Sequence, residues 1–243
     1  MFLAWLVHAF TAIGLILAAG MAVLIVRGDA ASFRWAFVLM LATTSIDAVD
    51  GTFARWARVK ELLPGFDGRR LDDIIDFQTY TSLPLLLIWR TGILPDGWSW
   101  WLVVPLVASA YGFCQTSAKT DDGFFLGFPS YWNLVAFYLY VLRPAPWGSL
   151  ALVLVLSVLT FVPTRYLYPT QSGRLNRITI ILGAAWIGLP VWVLIQLSGD
   201  EPTRGLAIVS LFFPAYYFVA SWVVSVRMWI QEKARRAASE GPR

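Results

Sequence analysis

The sequence has 243 residues, of which 58% are hydrophobic and only 14% are charged, with a net charge of +4 and a mean hydropathy of +0.64. A soluble domain carries about 25% charged residues, so this composition excludes an ordinary soluble protein and indicates a multi-pass membrane protein. The single cysteine, Cys114, excludes an intramolecular disulfide and a cysteine-based zinc site. No nucleic-acid partner is expected.

Eight apolar segments approach the length of roughly 20 residues that a membrane span needs. They cover residues 4–26, 32–54, 70–90, 98–117, 129–143, 147–163, 177–197 and 205–229. Pro144 and Pro146 mark the break between the fifth and the sixth. The sequence therefore predicts an all-α integral membrane protein, with a single transmembrane domain over residues 1–230 and a polar tail over residues 231–243.

The basic residues predict how these spans are oriented, because loops rich in Lys and Arg stay in the cytoplasm. With the N-terminus inside, 14 of the 19 basic residues fall in inside loops and 5 in outside loops. Both termini and the polar tail are accordingly predicted to be cytoplasmic.

Four aspartates stand out in this apolar background, within D-A-V-D-G-T-F-A-R, twelve further residues, and G-R-R-L-D-D-I-I-D. Asp47 and Asp50 are three residues apart and Asp72 and Asp76 four apart, so each pair shares a helix face. Carboxylates near lipid are energetically costly and therefore indicate function. Two such faces, joined by a short basic loop, predict a cytoplasmic-side site for hard divalent cations held beside phosphate groups.

The pattern D-x-x-D-G-x-x-A-R followed by G-x-x-x-D-x-x-x-D resembles the signature of the CDP-alcohol phosphotransferase family. All eight fixed positions are present: Asp47, Asp50, Gly51, Ala54, Arg55, Gly68, Asp72 and Asp76. The twelve residues between the two halves are more than most of that family has. This longer gap resembles the bacterial phosphatidylcholine synthase branch, as do eight spans in place of a six-helix core.

The resemblance implies transfer of a phosphatidyl group from CDP-diacylglycerol to an alcohol, with release of CMP. It implies that Asp47, Asp50 and Asp72 hold divalent metal ions, either Mn²⁺ or Mg²⁺. Two ions are implied, and Asp76 contributes to the binding of the second. Asp76 would also take the proton of the acceptor hydroxyl as the catalytic base. The resemblance further implies that the donor is bound by the other four residues of the signature: Gly51, Ala54, Arg55 and Gly68. A homodimer in the bacterial inner membrane, in contact with its lipids, is implied as well.

Choline is the predicted acceptor, and proteins bind its quaternary ammonium group with aromatic faces. Tyr80 lies one helical turn beyond Asp76, and Tyr131 and Trp132 lie where a predicted cytoplasmic loop joins the fifth predicted span, so these three are the predicted choline contacts.

Two alternatives stay open. The same reaction could use serine, inositol phosphate or glycerol phosphate, although few basic residues surround spans four and five to bind a phosphorylated acceptor. A divalent-cation transporter is the other, although the acids are confined to one membrane face. His8 is either a polar partner inside the helix bundle or a contact to the cytidine end of the donor. Arg165, Arg174 and Arg177 either contact lipid phosphate or set topology.

Overall fold

The computed structural model describes residues 1–116, 124–167, 174–197 and 201–239, and nearly all of them are helical. The helices are α1 (Phe2–Arg27), α2 (Ala30–Trp56), α3 (Val59–Leu62), α4 (Gly68–Asp76), α5 (Leu83–Arg90), α6 (Val103–Cys114), α7 (Trp132–Leu142), α8 (Pro146–Leu159), α9 (Arg174–Trp186), α10 (Gly188–Ile195), α11 (Glu201–Ser210) and α12 (Phe212–Ser239). A π-helical segment, Phe77–Ser82, joins α4 to α5, and a 3₁₀ turn, Ser99–Leu102, precedes α6.

Each of the eight predicted spans coincides with a helical segment, which confirms the all-α membrane class. Within the part of the chain that the structure describes, four helical stretches are long and apolar enough to cross a membrane: Phe2–Arg27, Ala30–Trp56, Arg177–Ile195 and Thr203–Ala234. Three shorter apolar stretches in the same described residues correspond to the fourth, fifth and sixth predicted spans: Ser99–Cys114, Trp132–Leu142 and Pro146–Leu159. The sixth ends at Leu159, four residues earlier than predicted.

A small antiparallel sheet was not predicted. β1 (Phe124–Leu126) pairs with β2 (Arg165–Leu167), with Phe125 opposite Tyr166. Two hydroxyls of α12 complete the edge of β2, since Ser221 accepts the N–H of Leu167 at 3.1 Å and Tyr217 donates to its carbonyl at 2.9 Å. Strands of three residues carry too little periodicity to be read from a sequence.

The contacts divide the chain into two compact units. One comprises Met1–Phe113 with Ser130–Leu154, and the other comprises Cys114–Pro129 with Val155–Arg243. All four signature aspartates and the predicted choline contacts belong to the first unit. A single catalytic domain over residues 1–230 stays a prediction.

The first unit is built along α1, which packs on α2, α4 and α5. Its buried face repeats every three or four residues, as an amphipathic helix requires: Ala4, Val7, His8, Thr11, Gly14, Ala18, Met21 and Ile25. Gly14 lets α4 approach closely, because a Cβ there would lie 2.8 Å from Cγ2 of Ile75. The helix that carries Asp72 is positioned by this contact.

The twelve residues between the two halves of the signature form an ordered connection. The single helical turn α3 begins after Arg58, which adopts a left-handed backbone with φ 47°. Val59 and Leu63 bury their side chains against Ala4 and Val7 at the start of α1. The connection is thereby anchored to the N-terminal end of α1 before α4 begins.

Candidate active site

Three of the four signature aspartates come together between α2 and α4. One carboxylate oxygen from each of Asp47, Asp50 and Asp72 lies within 4.8 Å of the other two. Asp50 is buried, with 6% of its surface exposed, whereas the other two are partly exposed. Three carboxylates this close repel each other, and oxygen ligands are the donors that Mg²⁺ and Mn²⁺ take. The residues present therefore fit a divalent cation.

Asp50 is oriented from α1. The hydroxyl of Thr11 donates a 2.9 Å hydrogen bond to Oδ2 of Asp50, and both groups are buried. A hydrogen bond of this kind fixes the direction of a metal-binding carboxylate, as outer partners commonly do at metal sites.

Asp47 is held by Tyr80. The phenol of Tyr80 donates a 2.7 Å hydrogen bond to Oδ2 of Asp47, and the charges of Asp47 and Asp76 both act on it. The hydroxyl of Thr44 also hydrogen-bonds this phenol, and Asn133 donates to Thr44 at 3.3 Å. A network from α7 through α2 thus fixes the ring of Tyr80 beside two of the carboxylates.

Asp76 is the last residue of α4 and stands at the junction with the π-helical segment Phe77–Ser82. It is partly exposed and falls outside the group of three carboxylates, but it lies near enough to act electrostatically on Tyr80. Short π-helical segments occur frequently at functional sites. Its predicted roles as base and as ligand of a second metal stay predictions.

Of the predicted choline contacts, two lie together. The rings of Tyr80 and Tyr131 are 6.3 Å apart at 50° to each other. Ser130, which precedes Tyr131, has a left-handed backbone with φ 56°, and this turn directs the start of α7. Trp132 is fully buried, and its indole N–H donates to the hydroxyl of Ser109 at 2.7 Å. Trp132 therefore lies in the core of the first unit, and its contact with choline stays a prediction.

Two of the predicted donor-binding residues lie on the exposed side of α2. A Cβ at Gly51 would meet only the guanidinium of Arg55, at an ordinary 3.6 Å, so packing among the described residues does not require glycine there. Arg55 is exposed and donates to the hydroxyl of Thr52 at 3.0 Å. Ala54, by contrast, packs on the apolar cluster shared by α1 and α3.

Gly68 is confined by His8. A Cβ at Gly68 would lie 2.4 Å from Cε1 of the His8 ring, which no side chain tolerates. The small residue at this signature position is thus required by a neighbour within the fold. Its predicted contact with the donor stays a prediction.

The three arginines for which the sequence leaves two roles open, lipid phosphate contact or topology, belong to the second unit. Arg165 forms a 2.9 Å ion pair with Glu232 of α12, so it has a partner within the fold. Arg177 is exposed, and the side chain of Arg174 lies outside the described residues.

Sequence reasoning missed Thr11 and Thr44. Thr11 carried a usable signal, because it lies three residues after His8 and three before Gly14 on one face of an otherwise apolar helix. Thr44 lies three residues before Asp47, on the same face of α2.

Known proteins resemble this chain over nearly its whole length. The profile of the CDP-alcohol phosphatidyltransferase family matches residues 4–164, which include every carboxylate of the site. The phosphatidylcholine synthase of Pseudomonas aeruginosa is 36% identical over 228 residues, covering 93% of this chain and 91% of that protein. That of Borreliella burgdorferi is 34% identical over 221 residues, covering 90% and 93%. That of Legionella pneumophila is 39% identical over 186 residues, covering 74% and 70%.

Proposed function

Because the chain belongs to the CDP-alcohol phosphatidyltransferase family, it is an enzyme of that type, and we propose that it makes phosphatidylcholine. The phosphatidyl group of CDP-diacylglycerol is transferred to choline, and CMP is released. The observation that carries this proposal is the group formed by Asp47, Asp50 and Asp72 beside the ring pair of Tyr80 and Tyr131. The three relatives named above, each a phosphatidylcholine synthase, support the choice of acceptor.

The three clustered carboxylates are the residues that would hold Mn²⁺ or Mg²⁺, with Asp76 contributing to a second ion. When bound, such a cation neutralises the diphosphate of the donor and the charge that develops on the leaving CMP. Thr11 and Tyr80 keep Asp50 and Asp47 in the orientation that this requires.

Asp76 is proposed as the base. It accepts the proton of the choline hydroxyl while the choline oxygen bonds to the phosphorus that carries diacylglycerol. The phosphoanhydride bond from that phosphorus to CMP breaks in the same displacement. The charge of Asp76 acts on Tyr80, one of the two proposed choline-binding rings, which supports this role.

The faces of Tyr80 and Tyr131 are proposed to receive the trimethylammonium group. Cation–π attraction contributes about 0.5–2 kcal/mol, depending on how far the site is desolvated. The negative charges of Asp47 and Asp76 near Tyr80 add to the attraction for a cation.

The proposed setting is the bacterial inner membrane, with the site and both termini on the cytoplasmic side and with the chain paired as a homodimer. The diacylglycerol tails would then stay in the inner leaflet, while choline and CMP exchange with the cytoplasm. The excess of basic residues in the predicted inside loops supports this orientation.

The test is to give the purified protein CDP-diacylglycerol, Mn²⁺ or Mg²⁺, and one alcohol at a time. We expect CMP and phosphatidylcholine with choline, and neither with serine, inositol phosphate or glycerol phosphate. CMP release with one of those alcohols and not with choline would overturn the acceptor. Cation flux into proteoliposomes, without CMP release from any alcohol, would instead identify a transporter.

A further inference from the structure

Three aromatic rings meet where α1 begins and the connection from α2 ends. The His8 ring lies 4.4 Å from that of Phe66 and 5.9 Å from that of Trp5, and the Trp5 and Phe66 rings are 5.3 Å apart. We call Trp5, His8 and Phe66 the ring cluster. His8 is buried, with 7% of its surface exposed, whereas Trp5 is 48% and Phe66 is 38% exposed. The cluster therefore presents two open aromatic faces around one buried imidazole.

The imidazole of His8 has an unused nitrogen. Nε2 is buried and has no hydrogen-bond partner among the residues that the structure describes. Buried polar nitrogens are almost always paired, so an unpaired one calls for a partner such as a water molecule, an ion or a ligand. If the His8 ring served only for packing, a phenylalanine ring would fill the same space without burying a polar atom.

The ring cluster lies next to the carboxylates along two elements. Thr11, which bonds Asp50, is one turn further along α1 than His8, a rise of about 4.5 Å. Gly68, against which the His8 ring packs, is the first residue of α4, the helix that carries Asp72. A nucleotide whose phosphates bind at the carboxylates would therefore need to extend about one helical turn along α1 to bring its sugar and base to the cluster.

The long connection between the signature halves brings the third ring into place. Val59 and Leu63 anchor it to Ala4 and Val7, and Phe66 follows three residues later, against His8. The connection between the signature halves thus supplies one ring of the ring cluster.

We propose that the ring cluster binds the nucleoside of the cytidine-containing donor. The pyrimidine stacks on the open face of Trp5 or Phe66, and His8 Nε2 forms a hydrogen bond with the base or the ribose. His8 is thereby a donor-binding residue outside the signature. The inference rests on the proposed function, because it takes CDP-diacylglycerol as the donor.

The sharpest test uses the fact that His8 is the only histidine of the chain. Protein labelled with ¹⁵N-histidine, purified with a histidine-free affinity tag, gives a nitrogen spectrum of His8 alone. We expect the Nε2 resonance to shift on titration with CMP and Mg²⁺. UMP and 2′-deoxy-CMP serve as the two comparison ligands. Loss of the shift with UMP assigns the bond to the base, and loss with 2′-deoxy-CMP assigns it to the ribose.

Substitutions give an independent readout. His8→Phe is expected to raise the KM for CDP-diacylglycerol and the inhibition constant of CMP about tenfold, the effect of one buried hydrogen bond. The KM for choline should stay unchanged. His8→Gln, whose amide reaches the position of Nε2, should recover most of the affinity. Trp101→Phe is the matched control, since Nε1 of Trp101 is another buried nitrogen without a described partner, in a segment predicted to lie at the opposite membrane face.

An Nε2 resonance that does not move at CMP concentrations that inhibit the enzyme would overturn the inference and leave the proposed function standing. An unchanged inhibition constant in a folded His8→Phe protein would do the same. Wild-type protein that neither binds CMP nor releases it would overturn both. The spectrum of the unsubstituted protein decides the matter even where His8→Phe does not fold.

Discussion

The hydroxyl of Thr11 on α1 donates a 2.9 Å hydrogen bond to Oδ2 of Asp50 on α2, and the two groups are buried together. Asp50 is the most buried of the three clustered carboxylates, so its direction cannot be set by solvent. A hydroxyl of α1 therefore contributes to the orientation of one of the carboxylates proposed to bind metal. α1 contributes no carboxylate, yet it positions those of α2 and, through Gly14, the helix α4.

Thr11→Val removes this hydrogen bond and keeps the shape of the side chain. We expect the affinity for Mn²⁺ to fall about 10- to 100-fold, the usual effect of losing an outer partner at a metal site. Titration of Mn²⁺ monitored by electron paramagnetic resonance measures the affinity without turnover. Thr11→Ser keeps the hydroxyl and should behave as the wild type. Equal affinities in the Val and Ser proteins would show that the bond does not orient Asp50.

Tyr80 is expected to have two separable roles. Tyr80→Phe removes the 2.7 Å hydrogen bond to Asp47 and keeps the aromatic face, so kcat and Mn²⁺ affinity should fall while the KM for choline stays within about twofold. Steady-state kinetics with choline as the varied substrate gives both constants. A choline KM that rises as strongly in Tyr80→Phe as in Tyr80→Leu would contradict this division.

Tyr131→Leu tests the aromatic pair from its other side. Tyr131 faces Tyr80 at 6.3 Å, and the loss of one ring face should raise the KM for choline about fivefold to tenfold, the value of a partly desolvated cation–π contact. The KM for CDP-diacylglycerol should be unaffected. Tyr111→Leu, an exposed tyrosine of α6, is a suitable control. If both variants raised the choline KM equally, the pair would not be the acceptor pocket.

The sequence was sufficient for the helical class and for the convergence of Asp47, Asp50 and Asp72. The helical class follows from apolar length, which predicts membrane helices. The convergence follows from the shared helix face of Asp47 and Asp50 together with the basic loops, which predict that both signature helices meet at the cytoplasmic side. The signature then supplied the chemistry, since eight fixed positions agree with the family that the profile identifies.

What the sequence left out depends on contacts between distant segments. The bond from Thr11 to Asp50 joins residues 39 positions apart. Trp132, predicted as a choline contact, is buried, and its N–H is accepted by Ser109, 23 positions earlier in the chain. The packing of the His8 ring against Gly68 was missed for the same reason, since that ring comes from α1. Periodicity reports which face of an element is buried, but not what covers that face.

Gly68→Ala places a methyl group against the His8 ring, where a Cβ would lie 2.4 Å from Cε1. We expect the free energy of unfolding to fall by about 1–3 kcal/mol, as overpacking of a core typically costs. Gly65→Ala, three residues earlier in the same connection, has open space around its Cβ and is the matched control. Thermal unfolding in detergent measures both. The double variant His8→Ala with Gly68→Ala should regain stability, and a double variant no more stable than Gly68→Ala would contradict the contact.

Asp29 caps the start of α2 at the opposite end from the carboxylate group. Its carboxylate accepts from the N–H of Ser32 at 2.9 Å and from its hydroxyl at 2.6 Å, and these bonds lower the pKa of Asp29 below its ordinary value. Because the pKa is lower in the folded state, the stabilisation is complete above an ordinary aspartate pKa of about 4 and is lost as the pH falls below it. Asp29→Asn still caps the helix but does not titrate. The melting temperature of the wild type should therefore fall relative to that of Asp29→Asn only in acid. A difference between the two melting temperatures that stays constant from pH 7 to pH 3 would show that the Asp29 carboxylate does not stabilise the helix start by its charge.

Asp76→Asn tests the proposed base against its nearest acidic neighbours. Loss of a positioned base lowers a rate by about 10²- to 10⁴-fold, and we expect kcat to fall within that range. The Nε2 resonance of His8 should still respond to CMP, because Asp76 lies outside the group formed by Asp47, Asp50 and Asp72. Asp73→Asn is the control, since Asp73 is also partly exposed but points about 100° around α4 from Asp72, the α4 member of the carboxylate group. Near-normal turnover in Asp76→Asn would exclude Asp76 as the base. An equal loss of turnover in Asp73→Asn would exclude it as well, because only the carboxylate next to Tyr80 lies beside the proposed choline hydroxyl.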